Sequence, residues 1–329
     1  MDKNTLSNYG WIVIAVLVLS VMIALATPFG KYIENGVRST TAGLFDTSEK
    51  AMNVVGMSGK DNSLNPALNH KDVLPKGAKY NGGGIKLTEG DEFPETIADW
   101  ATYTYGDYSY SYHPDWGGWN PKVIDKTKTE YGEILESIGG IPIVALYNTF
   151  MDCSNLIIAP DIPRSVKSMT QTFSRCTSLT TAPILPENTK LSLVFVSCSN
   201  LVTYKGSTDA NGDFSNYKLP SLTYYDNIFS KCTSMIIAPK IPETATQLWC
   251  TFSGCTSLTT APNIPDSIKQ LRDTFNGCTA LTGTIEINAN VTDYSGCFKN
   301  VDFEKQNLTL TGISPTLRQI GNTGINYQE

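Results

Sequence analysis

The sequence predicts a mainly β chain with short helices, built as a repeat solenoid preceded by a small β module and a long N-terminal membrane helix. Three observations carry this reading. Seven of the eight cysteines fall at 153, 176, 198, 232, 255, 278 and 297, at intervals of 23, 22, 34, 23, 23 and 19 residues. Tyrosines alternate with small polar residues on both sides of Gly106-Asp107. Near the start, Trp11 to Ala26 is a 16-residue run without a charge. Together they divide the 329 residues into an N-terminal helix (1–52), a linker (53–71), a β module (72–140) and the solenoid with a C-terminal cap (141–329).

The apolar run comes first in the chain. With Thr27, Pro28 and Phe29 it approaches the roughly 17–25 residues needed to span a bilayer. Three readings stand open: a signal peptide cleaved after Ala24-Leu25-Ala26, an uncleaved signal anchor, and a prepilin-like leader ending at Gly10. Beyond the run, Phe29, Ile33 and Val37 recur every four residues and Leu44 lies seven further on, one stripe of a helix. Lys31, Glu34, Arg38, Asp46, Glu49 and Lys50 fill the other positions. A helix leaving the membrane in this way resembles the N-terminus of type IV pilin-like proteins. That resemblance covers the first 50 or so residues and implies the membrane, and filament subunits, as partners. Where those proteins carry Glu, five positions after the glycine, this chain has Ala15. Residues 53–71 are polar and broken by Gly56, Gly59 and Pro66, the composition of a linker.

From 72 to 140 the apolar period shortens to two. Thr102 to Tyr105 and Tyr108 to Tyr112 read as a hairpin about Gly106-Asp107, with the tyrosines of each strand on one face. A third strand is expected from Trp119 to Ile124, held to a sheet edge by Pro121. A short helix is expected from Glu130 to Ile138. Flat amphipathic rings suit sugar stacking, so Tyr108, Tyr110, Tyr112, Trp116 and Trp119 are the candidate ligand contacts. The alternative is that the same rings form the core of a small capping sheet, as aromatics in strands commonly do.

The repeat occupies the second half. A Phe stands three residues before each of six cysteines, giving the pairs Phe150/Cys153, Phe173/Cys176, Phe195/Cys198, Phe229/Cys232, Phe252/Cys255 and Phe275/Cys278. At Cys297 the equivalent position is Tyr294. Three residues after the six cysteines come Leu156, Leu179, Leu201, Met235, Leu258 and Leu281. Four coils continue into Ala-Pro, at Ala159-Pro160, Ala182-Pro183, Ala238-Pro239 and Ala261-Pro262. One coil cannot bury its Phe, Cys and Leu alone, but a stack converts them into internal ladders. Leu271, Phe275 and Cys278 at i, i+4 and i+7 suggest two helical turns per coil, followed by a short strand at Leu-Thr-Thr-Ala-Pro. The 34-residue interval exceeds the usual 23 by 11, and its polar excess (residues 205–216) is expected to loop out. Seven equivalent cysteines beside Phe and Leu read as free buried thiols rather than bridges, with Cys250 off the pattern.

The segments 172–183 (TFSRCTSLTTAP) and 251–265 (TFSGCTSLTTAPNIP) resemble the BspA-like leucine-rich repeats of bacterial surface proteins. The resemblance runs from about 146 to 300. It implies an exported solenoid of the bacterial cell surface, used for adhesion or for contact with a protein or glycan; with the apolar run as its anchor, the expectation is a membrane-anchored protein whose repeats lie outside the cell. The alternative is a minor structural subunit of a pilus-like or secretion-type filament.

Composition and motifs argue against other classes. The net charge of -6 offers no basic face for nucleic acid. Charged residues are 17%, below the usual quarter or so, while 41% apolar content is ample for a core. Two histidines 43 residues apart, His70 and His113, give no metal-ligand spacing. With no phosphate loop, nucleophile elbow or HExxH, no enzyme and no cofactor is expected. Glu133 and Glu136 read as a solvated helix face.

Overall fold

The structure, a computed structural model, describes residues 68, 69, 71–208, 210–287 and 290–312. The helix expected at 1–52 and most of the linker lie outside these residues. Five antiparallel strands come first: β1 (Lys79–Gly82), β2 (Ile85–Thr88), β3 (Thr102–Tyr105), β4 (Tyr108–His113) and β5 (Gly118–Val123). Their order is β2-β1-β3-β4-β5. The hairpin forms as expected, with Tyr103 opposite Tyr110 and Tyr105 opposite Tyr108. Pro121 sits on β5 at the sheet edge, where its missing N–H breaks no ladder.

That edge is where the solenoid begins. The Val144 N–H donates to the Trp119 carbonyl at 3.0 Å, and the buried Thr149 hydroxyl donates to the Pro121 carbonyl at 2.8 Å. β5 therefore acts as the layer beneath the first coil, and the module and the coils share one hydrophobic core. The two-residue strands β6 (Ser137–Ile138) and β7 (Ile141–Pro142) form a hairpin across the junction at 140. Leu68, at the end of the expected linker, is buried and bridges Ile138, so the module starts earlier than its sequence boundary.

The helix expected from Glu130 to Ile138 does not form. Its backbone is already engaged by the sheet: the Gly132 N–H donates to the Asp107 carboxylate at 2.7 Å, and the Leu135 N–H to the Tyr110 hydroxyl at 3.2 Å. Tyr108 donates its hydroxyl to the Gly132 carbonyl at 2.6 Å. Groups committed to side chains cannot close an i→i−4 ladder.

In the array, β8 (Ser168–Thr170), β9 (Thr181–Ala182), β10 (Lys190–Ser192), β11 (Thr203–Tyr204), β12 (Tyr224–Asp226) and β13 (Gln247–Trp249) are all short. β8, β10, β12 and β13 form one parallel sheet, extended by bridges at Ala145, Gln270 and Asp293. β9 and β11 pair on a second ladder. At the C-terminal end β14 (Gly283–Glu286) pairs with β15 (Leu308–Thr311).

The short helices expected in each coil are absent among the described residues, where the one helical element is the 3-10 turn Pro114–Trp116. The reason is backbone handedness. Two residues per coil adopt positive φ, one placed two before the Phe and one just before the Cys. They are Asn148 and Asp152, Gln171 and Arg175, Leu193 and Ser197, Asn227 and Lys231, Cys250 and Gly254, and Asp273 and Gly277. A left-handed residue every four positions stops a right-handed helix. The freed N–H groups turn to the next coil instead: Phe173 donates to Val194 and Arg175 to Val196, at 2.9 and 2.7 Å.

The ladders form inside. Phe150, Phe173, Phe195, Phe229, Phe252 and Phe275 are fully buried, and successive rings stack with centroids 5.1 to 5.9 Å apart. At the last coil the stack continues through Phe298, 5.6 Å from Phe275, and not through the expected Tyr294. Cys153, Cys176, Cys198, Cys232, Cys255 and Cys278 form the parallel column, fully buried and unbridged.

Part of the stretch expected to loop out, residues 212–214, joins the stack instead. The carbonyls of Ile157, Thr180 and Ile236 accept from Thr180, Val202 and Thr259, and between them Gly212 donates to Val202 at 2.9 Å and accepts from Ile236 at 2.9 Å. Residues 212–214 are an extra rung. Gly212 is required there, because at φ 84° a Cβ would lie 2.6 Å from the Ser234 carbonyl oxygen. Phe214 and Tyr217 fill the space behind it, buried against Tyr204 and Phe229.

Candidate ligand-binding site on the parallel sheet

Most of the aromatics expected to meet a ligand are core. Tyr108, Tyr110 and Trp119 are buried, the Trp119 indole donating to the Ile138 carbonyl at 3.1 Å. Tyr112 is half-buried 5.5 Å from Trp119. Tyr108 packs edge-on to Phe150, joining the module to the first coil. Alternation put these rings on one face as expected, and that face is covered by the module's own 132–138 segment, with Phe150 of the first coil beside Tyr108. Burial raises the Tyr110 and Tyr108 hydroxyls far above their ordinary pKa. Trp116 alone of the five is well exposed, stacked on His113 at 4.0 Å, with Trp100 5.0 Å from the same imidazole. Burial, then the charge of Lys122, lowers the His113 pKa.

A second group of exposed rings lies on the outer face of the parallel sheet. Strands that alternate in and out send Tyr225 and Leu248 to the core and leave Tyr224, Asp226, Gln247 and Trp249 outside. Tyr224 faces Gln247 across the ladder, and Asp226 faces Trp249. The four surround a cleft of about 300 Å³, with Tyr225 contributing to its lining. Tyr224 is 58% and Trp249 38% exposed, large values for rings of this size on a β face.

Neighbouring side chains hold the site in place. The Trp249 indole N–H donates to Gln270 at 2.9 Å, and the Arg272 guanidinium lies 5.9 Å from the ring centroid. Arg272 comes from the coil after Trp249, while the cleft opens on the coil before it. Its charge is matched by Asp293 at 3.3 Å. On the other strand, Asp226 accepts from the Asn227 amide at 2.5 Å and the Ser192 hydroxyl at 3.5 Å. Below the cleft, burial pushes the Tyr225 hydroxyl up to about 12, and that hydroxyl donates to the Pro220 carbonyl.

The sequence expectations did not include these residues. The signal was present at two repeat columns: three before the Phe the chain reads Tyr147, Thr170, Ser192, Asp226, Trp249 and Arg272, and five before it Ala145, Ser168, Lys190, Tyr224, Gln247 and Gln270. Tyr147, Tyr224 and Trp249 are the aromatic positions in columns that are otherwise polar except at Ala145.

Among the described residues no group of three or more His, Cys, Asp or Glu side chains could hold a metal ion, and no helix is long and apolar enough to cross a membrane. No protein-family model matches the chain, and no curated protein matches it. Three solved structures of leucine-rich repeat proteins are similar to it. One is a leucine-rich repeat protein of T. pallidum, 21% identical, with a TM-score of 0.48 over 68% of this chain and 97% of that one. A leucine-rich cell surface protein of Faecalibacterium prausnitzii is 24% identical over 64% of this chain, TM-score 0.43. A leucine-rich repeat protein of Bacteroides ovatus is 20% identical over 64%, TM-score 0.46. The match spans 54% and 52% of the last two chains.

Proposed function

We propose that this is a bacterial cell-surface protein, held to the membrane by the apolar run Trp11 to Ala26, whose solenoid binds a protein or glycan in adhesion. One observation carries the binding half of the reading: two large rings, Tyr224 and Trp249, stand in the open on adjacent strands of a sheet face whose preceding strands present Ser168, Thr170, Lys190 and Ser192. Solvent-facing aromatics that stability does not require point to contact with something else. The BspA-like repeat motif supports export, and the run at 11–26 supports attachment.

The test is protease shaving of intact cells that express the full chain, with immunoblots of the membrane and soluble fractions. Peptides from the repeats should be released, and the unshaved protein should sediment with membranes. Protein confined to the cytosolic fraction and protected from protease would overturn the proposal. A minor filament subunit is the second reading, favoured by Gly10 directly preceding the apolar run. Its mark would be a mature N-terminus at Trp11 together with co-purification with filaments.

A further inference from the structure

We infer that the cleft between Tyr224 and Trp249 is a saccharide site that takes one pyranose ring, an assignment that rests on the surface-binding reading above. Its chemistry fits a sugar on three counts. A pyranose has an apolar C–H face and an edge of hydroxyls, each hydroxyl both donor and acceptor. Trp249 and Tyr224 supply flat apolar walls from adjacent parallel strands, at diagonal positions on one face. Asp226 and Gln247 hold the other two corners, one an acceptor and the other an acceptor and a donor.

The site is also held ready before anything binds. Gln270 fixes the indole through its N–H, and Arg272 approaches from the far coil, which leaves the cleft side of the ring for a ligand. Asn227 and Ser192 orient the Asp226 carboxylate. Groups already in position lose little freedom on binding.

Size and charge narrow the class further. About 300 Å³ is at the lower end of small-molecule sites, room for one ring with its neighbours extending into solvent. A protein partner covers about 800 Å² per side with an apolar centre, and beside this cleft the sheet face is Ser168, Thr170, Lys190 and Ser192. An anion is disfavoured, because the cleft is lined by Asp226 and the nearby Arg272 is paired with Asp293.

The test is ligand-observed saturation-transfer NMR on the detergent-solubilised full chain, using the methyl glycosides of glucose, galactose, mannose, N-acetylglucosamine and fucose. At least one should receive saturation, strongest at the ring C–H protons of one face. Trp249→Ala should weaken that glycoside about tenfold or more, Trp249→Phe should retain most of it, and Trp100→Ala, at an exposed ring in the β module, should leave it unchanged. Thermal melts of each variant separate lost binding from lost folding. No saturation with any of the five, or binding that survives Trp249→Ala in a folded protein, would overturn the inference. Because this assay uses purified protein, it is independent of shaving: a displayed protein that binds none of the glycosides refutes the saccharide site alone.

Discussion

The thiol of Cys255 donates to the backbone carbonyl of Phe229, one coil earlier, at 3.1 Å. The same bond joins Cys176 to Phe150, Cys198 to Phe173, Cys232 to Phe195 and Cys278 to Phe252, at 3.0 to 3.2 Å. Each cysteine thus fills a small apolar site and gives a second hydrogen bond to a carbonyl that already accepts the N–H of the cysteine in its own coil. Serine would make the bond and lose the apolar packing; alanine would do the reverse.

Thiol chemistry follows from that burial. Removing the thiols from water raises the pKa of Cys198, Cys232 and Cys255 well above the ordinary value and pushes Cys278 up to about 12. Thiolate is the reactive form, so the ladder cysteines should label very slowly in native protein at pH 8. Cys250, half-buried, should label first even though burial raises its pKa too. Mass spectrometry after a timed alkylation should find Cys250 modified first and all eight after denaturation. Ladder cysteines that label as fast as Cys250 would contradict the packing.

The phenylalanine stack predicts a large and local energetic contrast. Phe252 lies between Phe229 at 5.9 Å and Phe275 at 5.8 Å with no exposed surface. Phe252→Ala should destabilise the chain by about 3–5 kcal/mol in a urea melt. Lys269→Ala, at an exposed position, should change it by less than about 0.5 kcal/mol.

Gly277 tests the handedness of the turn. Its φ is 73°, and an added Cβ would meet only Gly254, at 3.8 Å, so space does not limit substitution. Gly277→Asn should cost less than about 1 kcal/mol, since Asn tolerates the left-handed region. Gly277→Val should cost about 2 kcal/mol or more, since β-branching does not. Equal melts for the two variants would mean that the turn readjusts.

Acid should release the segment that follows β5. Burial pushes the Asp107 carboxyl up, but Lys128 at 2.5 Å and the Gly132 N–H at 2.7 Å outweigh it, and the net pKa is lowered. A carboxylate whose pKa is lower folded than unfolded stabilises the fold above its unfolded value, near pH 4. That stabilisation disappears as pH falls through the lower folded value. Wild-type protein should therefore lose more stability than Asp107→Asn on titration from pH 5 downwards. Parallel pH profiles for the two would remove Asp107 from this role.

The solenoid and its inward columns were legible because burial is repeated: Phe, Cys and Leu return to one register, and only the interior imposes that. Turn handedness was less so. Asn148, Gln171, Leu193, Asn227, Cys250 and Asp273 share a positive φ without sharing a residue type, so i, i+4, i+7 spacing suggested a helix where the backbone alternates. The module's tyrosines show the other limit. Alternation finds a common face, but only the return of residues 132–138 across it, with Phe150 beside Tyr108, decides that this face is covered. Tyr224 and Trp249 lay in the outward columns, where repeats vary freely and a departure carries no packing signature.

The extra rung at Gly212 to Phe214 has the character of an edge dislocation in a crystal. From the first coil to the sixth, the Phe column advances by one ring per coil, while the ladder opposite gains one additional row between Val202 and Ile236. A regular stack is translationally symmetric, and each coil offers much the same surface as the next. The inserted half-plane ends that symmetry at one place. Tyr224, Asp226, Gln247 and Trp249 belong to the two coils immediately beyond it, so the defect marks where a periodic lattice acquires an address.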